Sequence, residues 1–373
     1  MNMVRDEAQI AILGGGLVGR LLAWQLVQAG ISTALFDKGL RDGSEAAAFV
    51  AAAMLAPQAE SVEATPLVTR LGRQSILLWR DILSRLSKPV FMQQNGSLIV
   101  WHHQDKPLAT QFKQHLQRAD GGELTAWQAA QIGEHEPQLA GRFQTGFYLP
   151  GEGQLDGRQV LEALACALEE SGVACHWHTE SDVSALRQRF GWVIDCRGFG
   201  AQNEWNRRHD AGGSRLRGVR GEVVRAYAPE VTLNRPVRLL HPRYPLYIAP
   251  KENHVFVIGA TQLESESRAP ASVRSGLELL SALYAVHPAF GEAQVLEIAT
   301  NLRPTLNHHN PEIRYSLAER VVEVNGLFRH GFMISPSVTA AAARLMAILL
   351  AGKSVPPGDE ASGMAYVDNG MPV

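Results

Sequence analysis

The chain has 373 residues, 46% hydrophobic and 19% charged, and 35 basic against 37 acidic residues leave a formal net charge of −2. That length exceeds what one core usually sustains, so two domains are predicted. The near-neutral balance and the lack of a basic block argue against nucleic acid as a main partner.

Taken in chain order, the N-terminal MNMVRDEAQ carries no apolar signal core and no small-residue cleavage site, so a cytoplasmic protein is expected. Cys166, Cys175 and Cys196 form no CxxC pair, and their odd number makes a poor disulfide framework, which fits a reducing compartment. Gln9 to Leu13 reads as an apolar strand. GGGLVG follows, then a helix from Leu17 to Ala29 that Gly30 terminates, then a strand from Ser32 to Phe36. Thr65 to Leu86 has apolar residues at helical spacing, and Ser97 to Trp101 reads as a strand. The polar stretch from His102 to Ala140 is expected to form two surface helices. Asp156 is placed to cap a helix that ends near Ser171. Val173 to Trp177 and Trp192 to Cys196 read as further strands.

From Gly218 the texture changes to short alternating strands: Glu222 to Tyr227, Val237 to Leu240, Leu246 to Pro250 and Val255 to Gly259. A helix is expected from about Ala271 to Val286, then a closing strand and helix between Leu327 and Leu350. The longest apolar helical stretch, Val338 to Leu350, is interrupted by Arg344 and is too short to span a bilayer. The Gly-, Pro- and polar-rich residues after it are expected to be loose. The order predicts α/β plus α+β architecture: a Rossmann-type dinucleotide domain built from discontinuous segments, with an inserted domain containing an antiparallel sheet.

Gly14, Gly16 and Gly19 form GxGxxG between a strand and a helix, and Asp37, at the end of the next strand, lies 18 residues after Gly19. In such a loop Gly14 allows the tight turn, Gly16 lets a pyrophosphate approach the backbone, and Gly19 lets helix and strand pack closely. The helix N-terminus then favours the diphosphate charge. Leu17, Val18, Asp37 and Lys38 complete the expected nucleotide end, with Asp37 accepting from the ribose hydroxyls; Val183 is assigned to the same cofactor site. The motif alone does not choose between NAD and FAD.

The alanine-rich EAAAFVAAAMLAPQAE, Glu45 to Glu60, resembles the segment after the second strand in the D-amino-acid oxidase superfamily of flavoproteins. Ala52-Ala53-Met54-Leu55 stands where that family usually has Ala-Gly-Met-Leu. PLYIAPKENHVFVIGAT, Pro245 to Thr261, is similar to the family's Tyr-x-x-Pro-Arg and Gly-Ala-Thr strand pair. NLRPTLNHHNPEI, Asn301 to Ile313, is similar to its Leu-Arg-Pro segment, and Asn325 to Gly352 to its closing strand, loop and helix. Within the superfamily the glycine oxidases of the thiamin thiazole pathway match best.

The resemblance implies non-covalent FAD, since the last cysteine is Cys196 and a C-terminal thioether tether cannot form. It implies an FAD-binding domain of residues 1–88, 152–215 and 322–373, and a substrate-binding domain of 89–151 and 216–321. It gives Arg303 the role of forking onto a substrate carboxylate, for which planar guanidinium donors are suited. Tyr247 assists on that carboxylate, and Arg329 is a second arginine near the flavin. Ala52, Ala53, Met54, His330, Gly331 and Phe332 are expected along the flavin, with Gln262 and Met54 in the substrate pocket. His241, Arg243 and Tyr244 are further wall candidates.

The implied activity is oxidation of a small amine or amino acid of the glycine, sarcosine or D-amino acid type by hydride transfer to flavin. The imine would hydrolyse to an oxo acid and ammonia, with oxygen as acceptor and hydrogen peroxide as product. A dehydrogenase using another acceptor, a flavoenzyme acting on tRNA, and a nucleotide-binding protein without turnover remain as other readings, and self-association is left open.

Overall fold

The computed structural model describes residues 8–119, 122–209, 213–242 and 246–369. Two eight-stranded sheets dominate it. In the first, five neighbouring strands run parallel: Ala174–His176, Thr33–Phe36, Ile10–Leu13, Trp192–Asp195 and Val321–Asn325. Ile10–Leu13 is buried at every position, as a central parallel strand covered on both faces must be. Beyond Val321–Asn325 the sheet continues through antiparallel Glu312–Ser316 to Met364–Asp368 and Gly358–Asp359. Two expectations are corrected here. Glu312–Ser316 lies in this first sheet, so a boundary between 321 and 322 falls too late in the chain. The C-terminal segment, whose glycines and prolines suggested a loose end, supplies two paired strands.

Four helices cover the first sheet with one large apolar cluster: Leu17–Gln28, Pro66–Ser84, Gly157–Glu170 and Gly331–Leu350. Their starts follow local chemistry. Thr65 Oγ1 accepts from the Val68 amide, and Asp156 accepts from the Arg158 and Gln159 amides, so side chains satisfy donors that the first turn leaves open. The closing helix is longer than its sequence reading. From Phe328 to Leu350 it is long and apolar enough to cross a membrane, yet 67% of its 18-residue apolar window is buried inside the protein. It packs against Pro66–Ser84 and Leu17–Gln28 as a core helix.

The second sheet is antiparallel except where Val237–Leu239 runs parallel to Ser97–Val100. Its order begins with Gln294–Leu306, Leu216–Tyr227, Val255–Gly259 and Leu246–Pro250. It ends with Thr145–Leu149 and Thr125–Gln128, two strands inside and beside a region read as helical. Helices Lys106–Arg118 and Ala129–His135 do form there. Helix Val273–Val286 covers part of the sheet's other face through Leu279, Leu283 and Val286. A small third sheet ties the halves together: Met54–Leu55 and Met92–Gln93 flank Gly153–Leu155. Two-residue strands carry no periodicity, which is why the sequence hid them.

Candidate active site

A cavity of about 410 Å³ runs from the glycine loop of the first sheet to the face of the second. At the loop end, Gly14 has φ +106, and a Cβ there would press on the Arg197 amide and the Cys196 carbonyl at 2.7–2.8 Å. Only glycine fits. Gly16 is different: an added Cβ would meet nothing closer than Ala46 at 3.9 Å, so its freedom serves what enters the cavity. Gly19 does not line the cavity. It lies under the loop, where a Cβ would collide with the Gly14 carbonyl, so its contribution is helix–strand packing. Leu17, Val18, Asp37 and Lys38 do line the cavity. Asp37 accepts from the Gly15 and Gly39 amides, which fixes its carboxylate at the rim.

Val183 is misplaced by the sequence reading. It opens helix Val183–Arg189, capped by Asp182, and is buried against Leu13, Phe36 and Leu186 behind the sheet. The cavity wall at that point is Thr179, Glu180 and Ser181.

The loop is also braced from below. Arg20 is fully buried and makes no carboxylate contact among the described residues: it donates to the carbonyls of Gly15 (2.6 Å), Leu161 (2.7 Å) and Arg41 (2.8 Å). Its guanidinium lies over the Trp177 ring. Burial, only partly offset by Asp37, pulls its pKa down to about 10, still charged at neutral pH. Sequence reasoning missed it because a residue inside GxGxxG-plus-helix context reads as an ordinary helical position.

At the other end, cross-strand register assembles the site. Arg238 stands opposite Tyr247, and Tyr247 opposite Gly259. Val223 pairs with both Gly259 and Ala299, on the strand that carries Arg303. Side chains two residues apart share a face, so Arg238, Tyr247 and Arg303 all look into the cavity. Glycines make the room. The Tyr247 hydroxyl would lie 2.7 Å from a Cβ on Gly259, and a Cβ on Gly221 would strike the Arg303 guanidinium.

Arg303 donates to the carbonyls of Thr261 (3.1 Å) and Arg220 (3.4 Å) and has no carboxylate partner among the described residues. Burial pulls its guanidinium below the usual range, though Tyr247 and Glu60 push back. Burial raises the Tyr247 phenol, so its hydroxyl keeps its proton at neutral pH. Arg329 is held differently. It pairs with Glu60 (2.8 Å) and Glu63 (2.6 Å), and it donates to Gln262 Oε1 (3.2 Å). Gln262 lines the cavity beside it.

Glu60 sits at the centre of this charge cluster, 3.0 Å from Arg238 and 3.5 Å from His330 Nδ1. Burial opposes its ionisation, but Arg329, Arg238 and His330 outweigh that and bring its pKa to about 2. Burial lowers His330 to about 4, so the imidazole is neutral. Glu152, also on the wall, accepts from Ser97 Oγ and from the Ala59 amide (2.6 Å), and burial raises it to about 7. Glu60 lay within the quoted alanine-rich segment without an assigned role. Its partners are 178 and 269 residues away in sequence, and no local signal links them.

Between the two ends run Ala52, Ala53 and Met54, all on the cavity wall. Ala53 has φ +53. An L-residue in the left-handed region costs roughly 1–2 kcal/mol that glycine avoids. This is the structural meaning of alanine at a position where the resembling family has glycine. On the far side, His330, Gly331 and Phe332 line the cavity at the start of helix Gly331–Leu350. Of the further wall candidates, His241 is not among the lining residues, while Arg243 and Tyr244 lie outside the described residues.

Comparison with known proteins agrees with this geometry. A family model described as DAO, FAD dependent oxidoreductase, matches residues 9–345. The chain belongs to this family. A Rhizobium etli protein provisionally named thiamine biosynthesis oxidoreductase ThiO is 38% identical over 90% of this chain and 95% of its own. A glycine oxidase of Geobacillus kaustophilus is 27% identical over 88% of this chain and 89% of its own. The crystal structure of glycine oxidase from that organism superposes with a TM-score of 0.78, covering 96% of this chain and 98% of that one at 23% identity. Iminodiacetate oxidase from Chelativorans sp. BNC1 gives 0.73, covering 96% and 99% at 18% identity. These last two establish the shared fold.

FAD is therefore the cofactor, and the residues present fit it. Two helix N-termini, at Gly16–Leu17 and at Gly331–Phe332, open onto the cavity and present free amides to negative charge. Gly16 faces open space where a diphosphate needs close approach. When bound, FAD supplies the two-electron chemistry that no side chain here can perform. The protein's share is to hold the cofactor, anchor and orient a substrate, and set the charge around both.

Proposed function

We propose that this enzyme oxidises a small amine or amino acid bearing a carboxylate. One observation carries the reading: Arg303 is a half-buried guanidinium on the cavity wall whose partners among the described residues are two backbone carbonyls and no carboxylate. A charge partly withdrawn from water is costly without a counter-ion, and a bidentate carboxylate is its best complement. Tyr247, with its hydroxyl protonated and close by on the same sheet face, adds one donor to that anchor. Held there, the substrate has its orientation in the cavity fixed.

Arg329 serves another purpose in this reading. Glu60 and Glu63 already pair with it, so it closes the cavity beside Gln262 rather than forking onto the substrate. Gln262 offers a polar contact to the substrate's side chain or N-substituent. The names glycine oxidase and iminodiacetate oxidase support a small amino-acid substrate; for a primary amine the successive products in this reading are an imine, then an oxo acid and ammonia, with oxygen as acceptor. We assign the cofactor to the first sheet with its helices and the substrate anchor to the second sheet. All three cysteines are free thiols, which supports work in a reducing compartment.

The test is the absorption spectrum of the purified yellow protein without oxygen, before and after glycine, sarcosine and a D-amino acid panel. Bleaching by one of them supports the reading and names the substrate class. A flavoprotein that none of them bleaches, nor any other carboxylate-bearing amine, overturns it. Oxygen uptake compared with artificial-dye reduction then separates oxidase from dehydrogenase.

A further inference from the structure

Behind the Ala52–Met54 wall lies a buried lysine that the proposed chemistry does not use. Lys251 follows strand Leu246–Pro250 and is 9% exposed. Its backbone amide donates to the Val255 carbonyl at 2.7 Å. Its Nζ donates to three oxygens: Ala52 O (2.9 Å), Gln154 Oε1 (2.9 Å) and Leu155 O (2.5 Å). An ammonium has three N–H donors, so the acceptor set matches the charged form atom for atom. A neutral amine would turn its lone pair on one of the oxygens. Gln154 cannot rotate away, because its Nε2 is itself committed to Gln93 Oε1 and the Pro250 carbonyl. Burial pulls the Lys251 pKa toward about 7; of the charged groups facing it, Asp156 raises it and Arg225 lowers it further.

The three acceptors place Lys251 against the turn that borders the cofactor. Ala52 and Ala53 line the cavity, while Lys251, Gln154 and Leu155 lie behind them. The Ala53 carbonyl accepts from the Leu155 amide at 2.9 Å, also on the rear side. In a planar trans peptide the N–H points opposite to the C=O. With the Ala52 carbonyl fixed toward Lys251, the Ala53 amide hydrogen therefore points forward into the cavity. That amide has no acceptor among the described residues, and Ala53 is 3% exposed. Buried amides are nearly always paired, so its partner comes from what fills the cavity. The same two rear hydrogen bonds hold Ala53 in its left-handed conformation.

We propose that Lys251 is a positioning residue for FAD: its ammonium locks the Ala52–Ala53 peptide so that the Ala53 amide is presented to an acceptor on the bound cofactor. The proposal rests on FAD binding in this cavity and not on the identity of the substrate. It predicts a dependence between two residues that do not share a side-chain contact. Without Lys251, alanine at 53 relaxes to an ordinary conformation and the amide turns away. Glycine at 53 keeps the left-handed conformation accessible without the Cβ penalty.

The experiment compares the holoproteins of Lys251→Met, Ala53→Gly and the double variant. FAD dissociation is followed by flavin fluorescence, together with the visible absorption bands and the flavin reduction potential. Lys251→Met is expected to weaken FAD binding tenfold or more and to change the band shape. Adding Ala53→Gly is expected to recover at least half of that loss on a logarithmic scale. A merely structural lysine would lower thermal stability without this recovery. The proposal is overturned by a Lys251→Met protein that binds FAD within twofold of the parent with an unchanged spectrum, or by a loss that Ala53→Gly leaves untouched. Should Lys251→Met not fold, Lys251→Gln decides on the same readouts, because its neutral amide brings only two N–H donors to these three oxygens.

Discussion

The two ends of the cavity are built by opposite means. At the glycine loop the turn itself offers backbone amides and empty space within a short stretch from Gly14 to Lys38, and Thr179, Glu180 and Ser181 complete the wall. At the sheet face they are side chains, and Arg238, Tyr247, Arg303 and Arg329 come from separate segments that meet only through strand register and a closing turn. One end is specified by what is missing at glycine, the other by charge that long-range pairing brings together. The loop end should therefore fail in an all-or-none manner, while the sheet end should fail by degrees.

Substitutions test that contrast, beginning with the most severe. Gly14→Ala has no conformation available at φ +106 and meets Cys196 and Arg197, so the protein should purify colourless and stay so after FAD is added. A yellow Gly14→Ala protein would break the comparison at once. Arg303→Met should keep FAD but lose about 100- to 1000-fold in kcat/KM for a carboxylate-bearing amine, as expected when one partner of a buried charge pair is removed. Flavin content and stopped-flow reduction on the same sample separate binding from chemistry. Tyr247→Phe removes one hydrogen bond and should raise KM by roughly fivefold to tenfold, about 1 kcal/mol, with the flavin spectrum unchanged.

The mildest test is pH dependence of stability. The folded pKa of Glu60 is about 2, below its ordinary value of 4.5, so its contribution is present above 4.5 and is lost as pH falls toward 2. His330, lowered from 6.5 to about 4, acts in the same direction, since acid must charge a buried imidazole. Glu152 runs the other way: raised from 4.5 to about 7, it favours the fold below 4.5 and loses that contribution as pH rises to 7. Thermal midpoints between pH 6 and 3 should fall on acidification in the parent. In Glu60→Gln they should start lower at neutral pH and fall less. A variant with the parent's slope would remove Glu60 from the account.

This division also explains what could be read in advance. The glycine loop, the place of Asp37 and the Asp156 cap were legible because each signal and its effect lie close together in sequence. Arg303, Tyr247 and Gln262, which line the cavity, were named through resemblance and not from local pattern. Nothing around Glu60 announces Arg238, and nothing around Lys251 announces the Ala52 carbonyl, because these contacts exist only after two sheets have formed. Ala53 conceals its own role, since alanine gives no hint of a left-handed backbone. Val183 shows the reverse error: an apolar residue after the right strand was given to the cofactor, while the packing gave it to the core.

The closing helix adds a constraint on how such an enzyme can be made. Gly331–Leu350 is synthesised after every other segment that lines the cavity, yet Phe332 and Met333 form part of the wall and Ile334 to Leu349 fill the largest core. A nascent chain that ends before this helix therefore exposes the seam that Leu17–Gln28 and Pro66–Ser84 keep for it, and offers FAD a cavity with one side open. Cofactor capture is thereby tied to the synthesis of this helix, and bound flavin becomes a mark that the helix has closed the cavity.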